Sequence, residues 1–451
     1  LFPYTTLFRS RSVASAHPIL AGWVELSCCP SRVYEEVIGV ACTGCKFPSR
    51  AAPFGKERFS LTFDLKTQAR AHVVELATIA AMTAIVVVVL VFGGLKTASF
   101  RMFAKNGITY PVATVTRIVS EDVAEEEGTG RYLGSQKVEV RIEDGVNAGK
   151  TVVAFNQMSA DHNVLARVGE KLIVQAENQE GLEPHYSIYN YDRIPGIAAI
   201  VGVFALSMVL VGRTKGLRSL LGLAFSLFMI VMFLLPLMFN GVSPILASLL
   251  TAAIITVCSM LLLNGGSRKT AAGIASTLLG LLAATLVYLA IAAVLQVSGF
   301  NDEGAEELVI LQQSTGVQVQ QVLFAGVLVA SLGAVMDMCM SIASSLFELK
   351  QVHTELTARQ MVASAFSIGG DMIGTMCQTL IMAFAGAGIS SLLLLLAYGI
   401  DFNQFMTSDY LAVELIHSFV GAIAVVLCVP ITALVSAWQF EGASLQGSRT
   451  A

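Results

Sequence analysis

Charge is what this chain has least of. Only 13% of its 451 residues are Asp, Glu, Lys or Arg, against 55% hydrophobic residues. A soluble domain carries about 25% charged residues, so the shortage excludes an ordinary water-soluble protein, and the mean hydropathy of +0.70 agrees. There is no basic patch, so nucleic acid is not an expected partner. Cysteines are present without a disulfide framework. Cys258, Cys339, Cys377 and Cys428 fall inside apolar runs and read as small packing residues. Cys42-Thr-Gly-Cys45 is a lone C-x-x-C, with Cys28 and Cys29 upstream and no second pair. No H-E-x-x-H, phosphate-binding loop or Ser/His/Asp set is present, so no enzyme, cofactor or metal site is expected.

What the chain does have is long apolar runs, several reaching the roughly 20 residues that cross a bilayer core. They predict spans over His72–Phe92, Ile194–Val211, Leu217–Leu237, Pro244–Leu263, Ala271–Val297, Val322–Leu349, Ala363–Tyr398 and Leu411–Trp438. Between the first two, the pattern shifts to a period of two. Val112–Val119, Lys137–Ile142, Thr151–Phe155, Lys171–Gln175 and Tyr186–Tyr191 read as strands separated by Gly-containing turns. The expected fold is an α-helical polytopic membrane protein of about eight spans, with a small all-β extracytoplasmic domain, a barrel or sandwich, inserted between spans one and two.

Five segments follow. Residues 1–55 show no helical or strand period, open on a stretch that reads like translated adapter sequence, and are expected to be disordered or artefactual. Residues 56–95 are a basic flank and the first span, 96–193 the β-rich domain, 194–438 the seven-span body and 439–451 a cytoplasmic tail. His162 and His185 stand alone in the β region and read as surface or packed residues. Glu75, near the start of the first span, reads as an interfacial carboxylate.

Lys and Arg cluster in alternate loops. Arg213, Lys215 and Arg218 follow span two, Arg268 and Lys269 follow span four, and Lys350 and Arg359 follow span six. The intervening loops 239–243, 298–316 and 399–410 hold neither. By the positive-inside rule both termini are cytoplasmic and residues 96–193 lie outside.

Two spans carry aspartates. Asp337, Ser341, Ser345 and Glu348 share one helix face by their spacing, as do Asp371, Thr375, Gln378 and Thr379 on the next span. A carboxylate at mid-helix in lipid costs about 2.5–3.5 kcal/mol, so such groups face a bundle interior or water. The two ridges are expected to form one polar seam, with Gly386 and Gly388 able to break the second helix. A structural reading also stands: an Asp can hydrogen-bond across helices and lock the bundle, helped by Gly333, Ala334, Gly370 and Gly374. Glu414 and His417 could face the same cavity from the last span. Met336, Met338, Cys339, Met340, Met372, Met376 and Cys377 point round their helices and read as gap fillers rather than a soft-metal site.

On Gly333-Ala-Val-Met-Asp337-Met-Cys-Met-Ser341-Ile-Ala-Ser and Asp371-Met-Ile-Gly374-Thr375-Met-Cys-Gln378-Thr379-Leu-Ile the chain resembles the YibE/F-like family of bacterial multi-pass membrane proteins, over about Val73–Phe440. It departs from the family's second motif at Gln378, where Asn is usual, and at Gly370, where a basic residue is common. The resemblance implies a bacterial cell-membrane protein with an external β domain. The expected function is a permease-like carrier of an ion or small polar solute through Asp337 and Asp371. Ser341, Ser345, Thr375, Gln378 and Thr379 would be hydrogen-bonding neighbours, with Glu414 and His417 on the pathway. The alternative is a non-transporting scaffold or accessory subunit whose β domain binds a protein partner.

Overall fold

A computed structural model describes residues 65–96, 108–159, 162–177, 184–296, 309–310, 312–313 and 316–447, the side chains of 65–72, 92–96 and 441–447 excepted. The segment 1–55, its cysteines and the acidic residues of the 298–316 loop lie outside the described residues.

Helix α1 (Leu65–Lys96) precedes six strands: β1 (Ile108–Thr109), β2 (Val112–Glu126), β3 (Arg131–Ile142), β4 (Thr151–Met158), β5 (Lys171–Glu177) and β6 (His185–Tyr191). Their order is β1-β5-β2-β3-β4-β6, and β5 also pairs with β6, so β2 to β6 close into a barrel. All pairings are antiparallel except β4 with β6. This is a five-stranded Greek-key barrel with the strand order of the OB type. Alternation fills it: Val115, Val138, Val140, Ala154, Leu172, Val174 and Ile188 are buried while their chain neighbours face out. Register shifts after Val115 and Ile118 bend the long β2 round the barrel. Gly134 has φ +127°, and a Cβ there would sit 2.0 Å from the Asp122 carbonyl oxygen, so only glycine lets the strands approach.

A buried amide pair stitches the 162–166 segment to the barrel. Asn156 Nδ2 donates to Gln136 Oε1 (3.0 Å) and to the Val164 carbonyl (2.7 Å), and the Ala166 N–H donates to Gln136 Oε1 (3.0 Å). His162 lies half-buried against Asn156, and His185 stacks on Phe155 at the barrel surface.

The helical body begins with α2 (Ile194–Met229), which runs on through a π-helical turn (Ile230–Leu234) into α3 (Leu235–Phe239). Helix α2 breaks at Arg213 (φ 49°, ψ −128°). A Cβ on Gly216 would lie 2.0 Å from the Met208 carbonyl oxygen. Those two residues would stand roughly 12 Å apart along an unbroken helix, so the chain turns sharply between the predicted spans two and three. Then come α4 (Pro244–Asn264), α5 (Arg268–Leu295), α6 (Val319–Val352), α7 (Ala358–Ala387), α8 (Ile389–Ala397), α9 (Phe402–Met406) and α10 (Asp409–Gly447). Seven helices among the described residues are long and apolar enough to cross a membrane, the stretch from Ile194 to Phe239 counted as one.

Helix α10 is the hub, packing on α5, α6 and α7, and α6 also packs on α4 and α5. Small residues permit this: a Cβ on Gly280 of α5 would sit 2.5 Å from Cys428 Sγ of α10. Glu75, expected at the interface, is paired, its Oε2 2.6 Å from Arg218 Nη2, which ties α1 to α2 beyond the break.

Candidate functional site

The helix boundaries fix the depth of the two aspartates. Helix α6 ends at Val352 and α7 starts at Ala358, with a capping box of Thr357 and Gln360 holding that start. At 1.5 Å per residue, Asp337 lies roughly 22 Å from the α6 end and Asp371 roughly 20 Å from the α7 start. The two aspartates thus stand at similar distances along their helices from the α6–α7 connection. The predicted span over Ala363–Tyr398 is two helices, α7 and α8, meeting at Gly388, one of the two glycines expected to break it.

The faces are a different matter. On α6, Val335, Met338, Cys339, Ile342 and Ala343 are buried, whereas Gly326, Ala330, Gly333 and Asp337 form an open stripe. Ser341 and Ser345 are half-buried and Glu348 is exposed. On α7, Met361, Ala365, Gly369 and Leu380 are buried. Gly369 sets the contact with α10, since its Cβ position is 2.5 Å from Val429 Cγ1. Asp371 follows Gly369 by two residues, about 200° round the helix, and is exposed together with Gly370, Gly374, Thr375, Gln378 and Thr379.

The expected seam, with two ridges packed against one another, is therefore not what the structure brings together. Both ridges stay outside the packed core. Thr375 Oγ1 donates to the Met372 carbonyl (3.0 Å) and Thr379 Oγ1 to the Thr375 carbonyl (2.8 Å), each along its own helix. The locking hydrogen bonds of the structural reading are likewise not seen: Asp337 and Asp371 have no hydrogen-bond or ion-pair partner among the described residues.

Glu414 and His417 take another position. His417 stacks on Phe384 with centroids 5.6 Å apart, and Tyr410 Oη donates to the Gly388 carbonyl (3.0 Å). A Cβ on Gly388 would meet Tyr410 Oη at 2.7 Å and Glu414 Oε2 at 3.2 Å. These residues buttress the α7–α8 break and sit on the packed side of α7, away from Asp371.

A polar cluster that the sequence reading missed occupies the junction of α5, α6 and α10. Cys339 of α6 and Cys428 of α10 are fully buried, as are the Thr277 hydroxyl of α5 and the Thr432 hydroxyl of α10. Neither hydroxyl reaches a well-aligned hydrogen bond, and the same holds for Thr256, Ser259, Ser276 and Ser436 nearby in the sequence of α4, α5 and α10. Elsewhere in the body Thr251 and Thr285 donate to the carbonyl four residues back. The available signal was spacing: Cys428, Thr432 and Ser436 step by four on α10, as do Gly273 and Thr277 on α5.

A family model described as YibE/F-like protein matches residues 200–442, more than half of the chain. The match takes in both aspartates and the buried cluster and leaves out α1 and the barrel. No curated protein and no solved structure matches the chain.

Proposed function

We propose that this chain, which belongs to the YibE/F-like protein family, is a permease-like membrane protein that passes an ion or small polar solute along the open faces of α6 and α7. One feature supports the reading: Asp337 and Asp371 stand at similar distances along their helices from the α6–α7 connection, on faces that the described residues leave open. A carboxylate left against lipid costs about 2.5–3.5 kcal/mol, a cost that water or solute beside the open faces carrying Ser341, Thr375 and Gln378 would remove. We assign no catalytic residue.

The break at Arg213 supports counting 194–239 as two crossings, hence eight. Contacts among loops support the alternation. Ser243 Oγ donates to Gln321 Oε1 at 2.6 Å and Tyr288 Oη to the Gln320 carbonyl at 2.8 Å, which groups the Lys- and Arg-free ends of α4, α5 and α6. Glu75 with Arg218 groups the start of α1 with a basic loop. On this reading the barrel is outside the cell membrane and the termini are inside.

The test is flux of protons and small cations in proteoliposomes containing wild type, Asp337→Asn or Asp371→Asn. Wild-type flux that both variants lose is expected; equal flux in all three removes the carboxylates from the pathway. The scaffold reading is favoured by the barrel's outer face, where Lys137 sits 5.2 Å over the Phe155 ring and His185 stacks beside it. Its test is capture with a fragment spanning 108–191, since β6 closes the barrel, after cooperative unfolding of that fragment is verified.

A further inference from the structure

We propose that the groove between α1 and the second limb of α2 holds one acyl chain of an anionic phospholipid, whose phosphate sits among the basic residues at the groove's mouth. The proposal requires only that the chain lies in a membrane. It uses none of the aspartate residues, so the two readings fail separately.

The groove is a cavity of about 320 Å³ lined by α1, α2 and α4. Met82, Phe225 and Leu262 are buried on its floor, and Ile79 and Leu221 are exposed on its rims. The one polar side chain along it, Thr83, already donates to the Ile79 carbonyl at 2.8 Å. The lining thus offers an occupant no hydrogen bond, and an apolar space of this kind does not hold ordered water. Helix α1 packs on α4 and on the π-helical turn. The groove lies between that turn and the Glu75–Arg218 ion pair.

Three walls locate the mouth. Ile79 and Met82 follow Glu75 by four and seven residues, and Leu221 and Phe225 follow Arg218 by three and seven. Both walls therefore start at the ion pair and run into the bilayer together, roughly 5 Å to the first lining residue and 10 Å to the second. The third wall agrees. Leu262 precedes Gly266 by four residues, and a Cβ on Gly266 would lie 3.1 and 3.2 Å from the γ-carbons of Val74, the neighbour of Glu75. From Glu75 to Val86, the deepest lining residue of α1, is roughly 16 Å along the helix, an elongated space suited to an acyl chain.

The mouth is basic. Arg213, Lys215 and Arg218 come from the elbow of α2, and Arg268 and Lys269 follow Gly266 by two and three residues. Neither 212–218 nor 264–269 holds an Asp or Glu, and Glu75 is paired with Arg218. Lys215, one turn before Arg218, lines a further cavity of about 470 Å³ in the elbow, which gives a headgroup room. Each Lys or Arg near a membrane surface strengthens the attraction of an anionic headgroup about 5-fold. An apolar slot beneath a cluster of positive charge matches a tail joined to a negative headgroup. A detached phosphate would leave the slot empty, and a zwitterionic lipid would leave the charge unmatched.

The experiment is native mass spectrometry of the detergent-purified full chain, titrated with dioleoyl phosphatidylglycerol or dioleoyl phosphatidylcholine. The first phosphatidylglycerol is expected to bind at least about 10-fold more tightly. Lys215→Gln and Arg268→Gln should each weaken it about 5-fold. Ala224→Trp, which fills the groove from its exposed rim, should remove the preference, and Leu286→Trp, at an exposed position of α5, should keep it. Excess glycerol phosphate should displace nothing. Equal affinity for the two lipids, displacement by glycerol phosphate, indifference to both glutamines, or a preference that survives Ala224→Trp overturns the proposal. A second measurement does not depend on variant folding. Phosphatidylglycerol carrying a mid-chain diazirine, photolysed on the unaltered chain, should label 79–86 and 221–228 above other lipid-facing segments; uniform labelling overturns it.

Discussion

Changing Gly369 to alanine tests which way α7 faces. The added Cβ would lie 2.5 and 2.8 Å from the two γ-carbons of Val429. Apolar carbons rest at about 3.5–4.0 Å, so the helices must part by roughly 1 Å. Valine offers no escape, because its χ1 in a helix is nearly fixed and both γ-carbons already point at the glycine. Overpacking of this kind costs about 1–3 kcal/mol. One residue on, Gly370 has nothing within 4 Å of its Cβ position, and neither does Gly374. Alanine at either is expected to be neutral or to add up to about 1 kcal/mol through helix propensity. The assay is reversible unfolding in detergent micelles or bicelles, followed by steric trapping. Adding Val429→Ala to Gly369→Ala should recover most of the loss, which a general effect of removing glycine would not do. A destabilising Gly370→Ala beside a silent Gly369→Ala would mean that α7 is rotated, and would refute the placement of Asp371.

Further outcomes follow from single contacts. Arg218→Ala removes the ion pair with Glu75, and because the side chains are 33% and 22% exposed the loss should be about 1–3 kcal/mol, below that of a fully buried pair; exchanging the two residues should recover it in the same unfolding assay. Asn156→Ala leaves Gln136 and the Val164 carbonyl short of buried partners, and about 1–3 kcal/mol of barrel stability should go, read by hydrogen exchange of β4. Lys171 and Thr114 hold the Glu143 carboxyl below its ordinary 4.5 through hydrogen bonds. Its contribution is therefore present above pH 4.5 and lost as pH falls through the lowered value, so Glu143→Gln should flatten the acid limb of barrel stability, measured by hydrogen exchange against pH.

Much of this architecture can be read from residue order, because lipid and water impose different periods. The alternation through Val138 and Val140, and the apolar runs of the helical body, needed no tertiary information. Gly388 could be suspected as a break, and Arg213 stood between two predicted spans. What could not be read is the direction in which a face turns. Asp371 and Gln378 share a side of α7 by arithmetic, but the docking of that helix is decided by Gly369 against Val429, a contact between residues sixty positions apart. The approach of Gly280 to Cys428 was hidden for the same reason: each alone is a small residue, and only the crossing of α5 and α10 brings them together. Strand order was equally non-local, since β6 closes the barrel by pairing with both β4 and β5.

The most direct test is aqueous access to the open face of α7. Single cysteines placed at Asp371, Thr375 and Gln378, with the native cysteines replaced, would be exposed to a membrane-impermeant thiol reagent in proteoliposomes. Rapid modification at all three, with Met361→Cys and Ala365→Cys protected, is expected if that face borders a solute path. No reaction at the three ridge positions, under conditions in which a cysteine in the 353–357 loop is fully modified and a membrane-permeant reagent labels all, would place the ridge in lipid and contradict the account.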